Sequence, residues 1–212
     1  MKKIAIIAFL LAVCVAAGRA QESRQDISLS GTGLVEPFRG SSTDVYVHSN
    51  TAVGALLSYR FMLTPSYAVE GNYGITYQNT IHYTSPSFGI SPNGGIPGYK
   101  VLTRTQEASG AFVRTFNFRK FNPFVQAGGG ELIFLPILNS GTTLHDTKQQ
   151  NQMGFLYGGG IAYEVSPSFD IRAEYRGIVT RVPTFGETSG PNFTTNKWYN
   201  IYNPAIGVAY HF

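Results

Sequence analysis

The chain has 212 residues, 13% of them charged and 14% aromatic, with a formal net charge of +4 and a single cysteine. Three of its sixteen basic residues (Lys2, Lys3, Arg19) and Cys14 lie in the first twenty positions. Residues 21–212 therefore carry thirteen basic against twelve acidic groups, a net +1, and no cysteine, which removes any charge argument for nucleic acid and excludes a disulfide scaffold or a thiolate metal site.

The N-terminus has the three parts of a secretory signal peptide. Lys2 and Lys3 precede an apolar run over residues 4–17, and Gly18-Arg19-Ala20 puts small residues at the first and third places before a cut between Ala20 and Gln21. The run is short of the roughly 18–20 apolar residues that a spanning helix needs. Leu11-Ala12-Val13 before Cys14 invites a lipoprotein reading, but Val13 is bulky for that position and the apolar run continues past it. The expected organisation is a signal peptide over 1–20 and one domain over 21–212.

After the signal no long apolar run occurs. What remains is period-two alternation in segments of roughly ten to fourteen residues set off by turn residues, the pattern of an all-β chain. The spacing predicts strands over residues 26–35, 50–62, 67–79, 101–116, 123–135, 151–165, 169–182 and 198–212. Connections of about fourteen to twenty-one residues (36–49, 80–100, 136–149, 183–197) alternate with short ones at Thr64-Pro65-Ser66, residues 117–122 and Ser166-Pro167-Ser168. Eight strands with long and short connections in strict alternation fit an eight-stranded antiparallel up-and-down transmembrane barrel, with one kind of connection on each side of a membrane.

The faces support that reading. Val53, Ala55, Leu57, Tyr59 and Phe61 share one face of the second strand, with Arg60 on the other. Tyr67, Val69, Tyr73, Ile75 and Tyr77 share one face of the third, with Glu70 on the other. In the hairpin of residues 161–177, Ile161, Tyr163, Phe169, Ile171 and Tyr175 alternate with Glu164, Arg172, Glu174 and Arg176. Centring the first short turn on Pro65 sets Arg60 opposite Glu70, and centring the third on Pro167 puts Glu164 diagonal to Arg172. Apolar side chains therefore face lipid. The charged set, Arg60, Glu70, Glu164, Arg172, Glu174 and Arg176, faces a lumen with room only for side chains. Aromatic residues gather at the short turns: Phe61 and Tyr67; Phe116, Phe118, Phe121 and Phe124; Tyr163 and Phe169. They are expected to form a girdle at the water–lipid boundary.

The chain end is the most specific feature. Ile206, Val208, Tyr210 and Phe212 alternate with small residues and His211, and Phe212 is last. With this strand, and with the Pro-aromatic-Gly segment at residues 122–130, residues 26–212 resemble the small outer-membrane β-barrels of Gram-negative bacteria, the OmpA/OmpX-like family. The resemblance implies that Tyr210 and Phe212 form the signal read by the barrel-assembly machinery. It also implies that the chain sits as a monomer among outer-membrane lipid and lipopolysaccharide.

Three points fit this barrel less simply. Pro204 lies inside the last strand, where a bulge or a later start is expected. Arg114 lies between Phe112 and Phe116, which leaves the facing of the fourth strand open. Placing Glu131 inside the fifth strand would leave Gln126 outside.

No catalytic or cofactor signature stands out. Gly128-Gly129-Gly130 and Gly158-Gly159-Gly160 lack the Lys-Ser/Thr of a phosphate loop. His48, His82 and His145 are expected in separate loops and His211 in the last strand, so no pair has metal spacing. His48-Ser49 superficially resembles the His and Ser of lipid A deacylases, but adjacent residues of a strand face opposite ways. The expected role is structural or surface-interacting through the long connections, with an unidentified surface partner and no cofactor. A small pore is the alternative reading, and a lipid A-modifying enzyme or a lipocalin-like soluble binder is more remote.

Overall fold

The computed structural model describes residues 24–37, 39–40, 46–85, 98–138, 142, 147–185 and 197–212. Among these the chain forms strands β1 (Gln25–Leu34), β2 (Arg39–Gly40), β3 (Tyr46–Ser49), β4 (Ala52–Thr64), β5 (Tyr67–Thr76), β6 (Asn79–Thr84), β7 (Gly98–Thr115), β8 (Phe121–Pro136), β9 (Gln150–Ser166), β10 (Phe169–Arg181) and β11 (Trp198–His211). The signal segment, with Ala20 and Gln21, lies outside the described residues.

Eight strands close an antiparallel barrel in the order β1-β4-β5-β7-β8-β9-β10-β11, with β11 returning to β1. The other three lengthen the wall. Strand β6 follows β5 along the same edge of β7, β3 pairs with β6, and β2 pairs with β3. Residues expected in the first two long connections are thus partly strand. They were missed because their polar side chains (His48, Thr80, His82, Thr84) lie on the outer face, the reverse of the pattern in the belt.

The three short hairpins share one rim. In the first, the Thr64 hydroxyl accepts the N–H groups of Ser66 and Tyr67. In the second, Phe118 and Phe121 exchange backbone hydrogen bonds, and Arg119 takes φ 54° to close a two-residue turn. Pro167-Ser168 makes the third. Arg60 pairs with Glu70, and Glu164 with Asp170.

Pro204 causes neither a bulge nor a late start. The β1–β11 ladder runs to Thr32↔Ala205 and resumes at Val35↔Tyr202 in the same register. Its absent N–H is absorbed by the skipped rungs, and the Pro204 carbonyl accepts the Thr32 hydroxyl at 3.2 Å.

The outer wall is apolar and the inner wall is not. Leu29, Val53, Tyr77 and Ile206 are 61–67% exposed, whereas Arg60 and Arg172 are 2% exposed. A continuous apolar surface of this kind belongs in lipid. At the short-turn rim it ends in contacting aromatic pairs: Tyr67–Phe112, Phe121–Tyr163, Phe169–Tyr210 and Tyr210–Phe212. Phe124 is not part of this girdle; it points inward and is buried. On β7, Arg114 faces outward over the Tyr67 and Phe116 rings. On β8, Gln126 is the inward residue and Glu131 lies on the outer face, held by the Asn151 amide at 2.8 Å. The regular alternation of β8 settles both without a bulge.

Candidate functional site

Among the described residues, the lumen is where the strands bring many ionisable groups together, and it is built in two layers. Alternation on each strand sends every second side chain inward, and the middle of the barrel receives the charges. Arg60 donates to Glu70 through Nε at 2.8 Å, and its Nη2 lies 2.6 Å from the same carboxylate oxygen. Arg172 reaches across to Asp26 at 3.1 Å and to the Ser28 hydroxyl at 3.2 Å, and stands 3.7 Å from Glu70. The Phe124 ring packs against both guanidinium groups, its centroid 4.7 Å from Arg60 and 5.8 Å from Arg172. Higher up, Arg176 grips Glu107 with two hydrogen bonds of 2.8 and 3.1 Å, and Glu107 also accepts the Ser109 hydroxyl at 2.6 Å. Glu174 accepts the Gln126 amide at 3.4 Å.

Of the residues expected in this core, Glu164 stands apart. It is half-buried at the short-turn mouth, opposite Asp170, while Arg172 turns to Asp26 and Glu70. Two closer acids on strands adjoining the lumen outcompete the diagonal neighbour. Sequence reasoning missed Asp26 and Glu107 as members, and left Asp170 out of the core although it reads on the charged face of its hairpin. Asp26 and Asp170 share inward parity with Ser28 and Arg172 and were legible in principle. Glu107 was hidden by the open facing of its strand.

Glycine makes room for this layer. A Cβ at Gly158 would stand 2.5 Å from the Tyr175 carbonyl oxygen and 3.4 Å from Arg176 Cγ. One at Gly160 would meet Glu174 Cβ at 2.8 Å. Gly158 and Gly160 are therefore the floor under Arg176 and Glu174.

Below the ion pairs a polar vestibule of about 330 Å³ opens at the short-turn rim, lined by Asp26, Arg60, Glu164, Asp170, Arg172 and His211 among others. His211 Nε2 lies 2.9 Å from Asp170. Above the ion pairs the interior turns apolar. Leu34, Val47, Ile81, Tyr83, Val101, Leu132, Phe134, Leu156, Ile178, Phe185, Tyr199 and Ile201 pack into a buried cluster that fills the lumen at the end bearing the long connections. An inward face polar throughout was expected; the upper part is instead a plug. Glu36, just beyond β1, is enclosed in it. Burial pushes its carboxyl above the usual range, against hydrogen bonds from Ser49, Asn79 and Tyr199. The Tyr83 hydroxyl donates to the Pro183 carbonyl at 2.7 Å, tying β6 to the end of β10.

His48 and His82, expected in separate loops, stack outside the barrel on β3 and β6 with ring centroids 4.6 Å apart. Ser49 faces the other way, accepting the Asn79 amide at 2.8 Å. His145 lies outside the described residues. Among the described residues no three His, Cys, Asp or Glu side chains gather as a metal site.

Residues 5–212 match the family model for the outer membrane protein beta-barrel domain. No curated protein sequence matches the chain. Solved structures share the architecture at low identity. OprG of Pseudomonas aeruginosa is 12% identical, with TM-score 0.58 over 91% of this chain and 97% of that one. Ail, the attachment invasion locus protein of Yersinia pestis, in complex with the heparin analogue sucrose octasulfate, is 16% identical, with TM-score 0.53 over 91% and 100%. Neisserial surface protein A is 14% identical, with TM-score 0.53 over 90% and 98%.

Proposed function

The chain belongs to the outer membrane protein beta-barrel family of the bacterial outer membrane, and from that premise we propose that it is a sealed barrel with a structural and surface-interacting role, not a pore. The observation that carries this reading is the filled lumen. Ion-paired side chains occupy its middle and an apolar cluster occupies its outer end. Ions crossing such a barrel would have to displace both layers, and a charged layer whose members are ion-paired with one another serves as a plug rather than a lining. The working surface is then the outer rim, where β3, β6 and the start of β7 rise beyond the belt and the long connections emerge. His48 and Ser49 face opposite sides of the wall, so the imidazole does not reach that hydroxyl, which instead bonds Glu36 and Asn79 on the inner side.

The test has two arms. Protein refolded into planar bilayers is expected to give no steady single-channel conductance. Cells displaying the intact chain are expected to bind surfaces coated with extracellular-matrix extract more strongly than cells in which residues 86–97 are replaced by a short Gly-Ser turn. Steady ohmic channels would favour the pore, and equal binding would remove the surface role.

A further inference from the structure

At the short-turn end of the barrel the vestibule holds more negative charge than its walls neutralise. Asp26, Arg60, Glu164, Asp170, Arg172 and His211 line it, and Glu70 stands behind the two arginines. Four carboxylates thus meet two guanidinium groups and one imidazole. Arg60 and Arg172 are held by Glu70 and Asp26, and His211 by Asp170. Glu164 is left over. Among the described residues no cation stands within ion-pair distance of it, although the Lys120 carbonyl accepts its N–H at 2.9 Å. The β9–β10 register slips by one residue between Phe169 and Asp170, and the slip sets Asp170 opposite Glu164 instead of Val165. Like charges directly opposite on paired strands repel, and slips of this kind re-aim side chains beside functional sites. On β1, Asp26 is fully buried and its Oδ2 has no hydrogen-bond partner.

We propose that the vestibule is a site for a small aliphatic diamine from the periplasm, the compartment that the short-turn rim of such barrels faces. An alkylammonium carries three donors and no acceptor, the complement of carboxylates that lack donors. Two ammonium groups on one chain suit the site and a metal ion does not. Among the described residues no three carboxylate or imidazole groups gather closely enough to hold a metal. The underused acids stand apart instead: Glu164 on β9 and Asp26 on β1 are separated by β10 and β11. That is three strand spacings, about 14 Å along the wall, and less between side chains that point inward. Between these ends the lining is apolar, with Met62, Pro65, Ala162 and Pro167 placed to cover methylene groups. The volume of about 330 Å³ equals that of about ten water molecules, ample for a short carbon chain.

The probe is putrescine, the four-carbon diamine, titrated calorimetrically at low salt against the mature protein in phosphatidylcholine nanodiscs. Amide shifts of isotope-labelled protein locate it. Putrescine is expected to bind about tenfold more tightly than butylamine. Shifts are expected at residues 26, 162–170 and 211, which line or adjoin the vestibule, and not at residues 199–201. Glu164→Gln should weaken binding by about tenfold. Glu164→Lys brings its own ammonium opposite Asp170, so it should abolish binding and raise the denaturant midpoint. Heat-modifiable gel mobility checks that each variant is folded. Unchanged affinity in Glu164→Gln, or shifts confined to other residues, overturns the site. Equal affinity for butylamine or magnesium ion overturns a two-ended organic ligand. Equal affinity for N-acetyl-lysine amide overturns the free diamine as occupant in favour of a lysine side chain. None of these outcomes depends on conductance or on cell adhesion, so failure here leaves the sealed-barrel reading standing.

Discussion

Arg176→Ala tests the upper ion pair of the lumen, which does not line the vestibule. Arg176 is 1% exposed, and both of its bonds go to Glu107, which is 6% exposed. The small cavity beside them, shared with Leu56 and Leu132, has an accessible volume of about 10 Å³, room for one water at most. Truncation leaves a carboxylate under the apolar plug with the Ser109 hydroxyl as its remaining partner, a loss of about 3–5 kcal/mol. Arg60→Ala should be milder. Glu70 keeps Arg172 at 3.7 Å, and the vestibule below admits water, so about 1.5–3 kcal/mol is expected, the value of a charge-assisted hydrogen bond. Arg176→Met should recover part of the loss by filling the space without a charge, most fully when Glu107 is also made apolar. Trp198 is the one tryptophan of the chain, so its fluorescence reports denaturant unfolding of protein refolded into lipid vesicles. A double-mutant cycle gives the coupling. A larger cost for Arg60→Ala than for Arg176→Ala, or no coupling between Arg176 and Glu107, would refute the assignment of a dry upper and a wet lower ion-pair layer.

Glu36→Gln should flatten a pH dependence of the outer rim. The folded carboxyl sits above the ordinary value of 4.5, so its contribution to stability is complete below that value and is lost as pH rises through the higher folded one. Hydrogen exchange at residues 199–201, corrected for the intrinsic rise of amide exchange with pH, should show protection that falls between about pH 4 and about pH 8 in the native chain and not in the variant. Phe134→Ala should cost about 3–5 kcal/mol by opening the plug, and conductance events absent from the native protein should appear in bilayer recordings. Deleting Phe212, which is proposed to act as the assembly signal with Tyr210, should cut membrane insertion in cells sharply. Spontaneous refolding into detergent should lose only about 1.5–3 kcal/mol, and equal yields in cells would end that reading.

The barrel was legible because lipid imposes a strict period of two. Every outward residue from Phe169 to Tyr175 had to be apolar or small, and the hairpin turns fixed the register that sets Arg60 opposite Glu70. The lumen was legible only in part, because long side chains choose partners across it. Arg172 lies diagonal to Glu164 in sequence terms, yet extends to Asp26, 146 residues away, a choice no local pattern encodes. Pro204 misled for a related reason. One absent donor looked like a fault in the strand, whereas the neighbouring Thr32 hydroxyl was available to the same rung.

The failure at the outer end follows from the same physics that made the belt readable. On β10 the inward set runs Asp170, Arg172, Glu174, Arg176 and then Ile178, Thr180, with Val182 beyond. The outward set runs from Phe169 through Tyr175 to Arg181. Both change polarity as the strand leaves lipid for water, because the apolar face must always be turned from water and only the lumen still offers that. A chain that stopped at the membrane surface would have no such segment. A pore reaching the medium would keep polar residues inside to the rim. The reversal in β6, where Ile81 and Tyr83 turn inward and Thr80 and His82 outward, therefore has two consequences from one cause. It fills the outer end of the lumen with apolar side chains and turns polar, histidine-bearing residues to the outer face above the belt, so the proposed seal and the proposed interaction surface both rest on this one reversal.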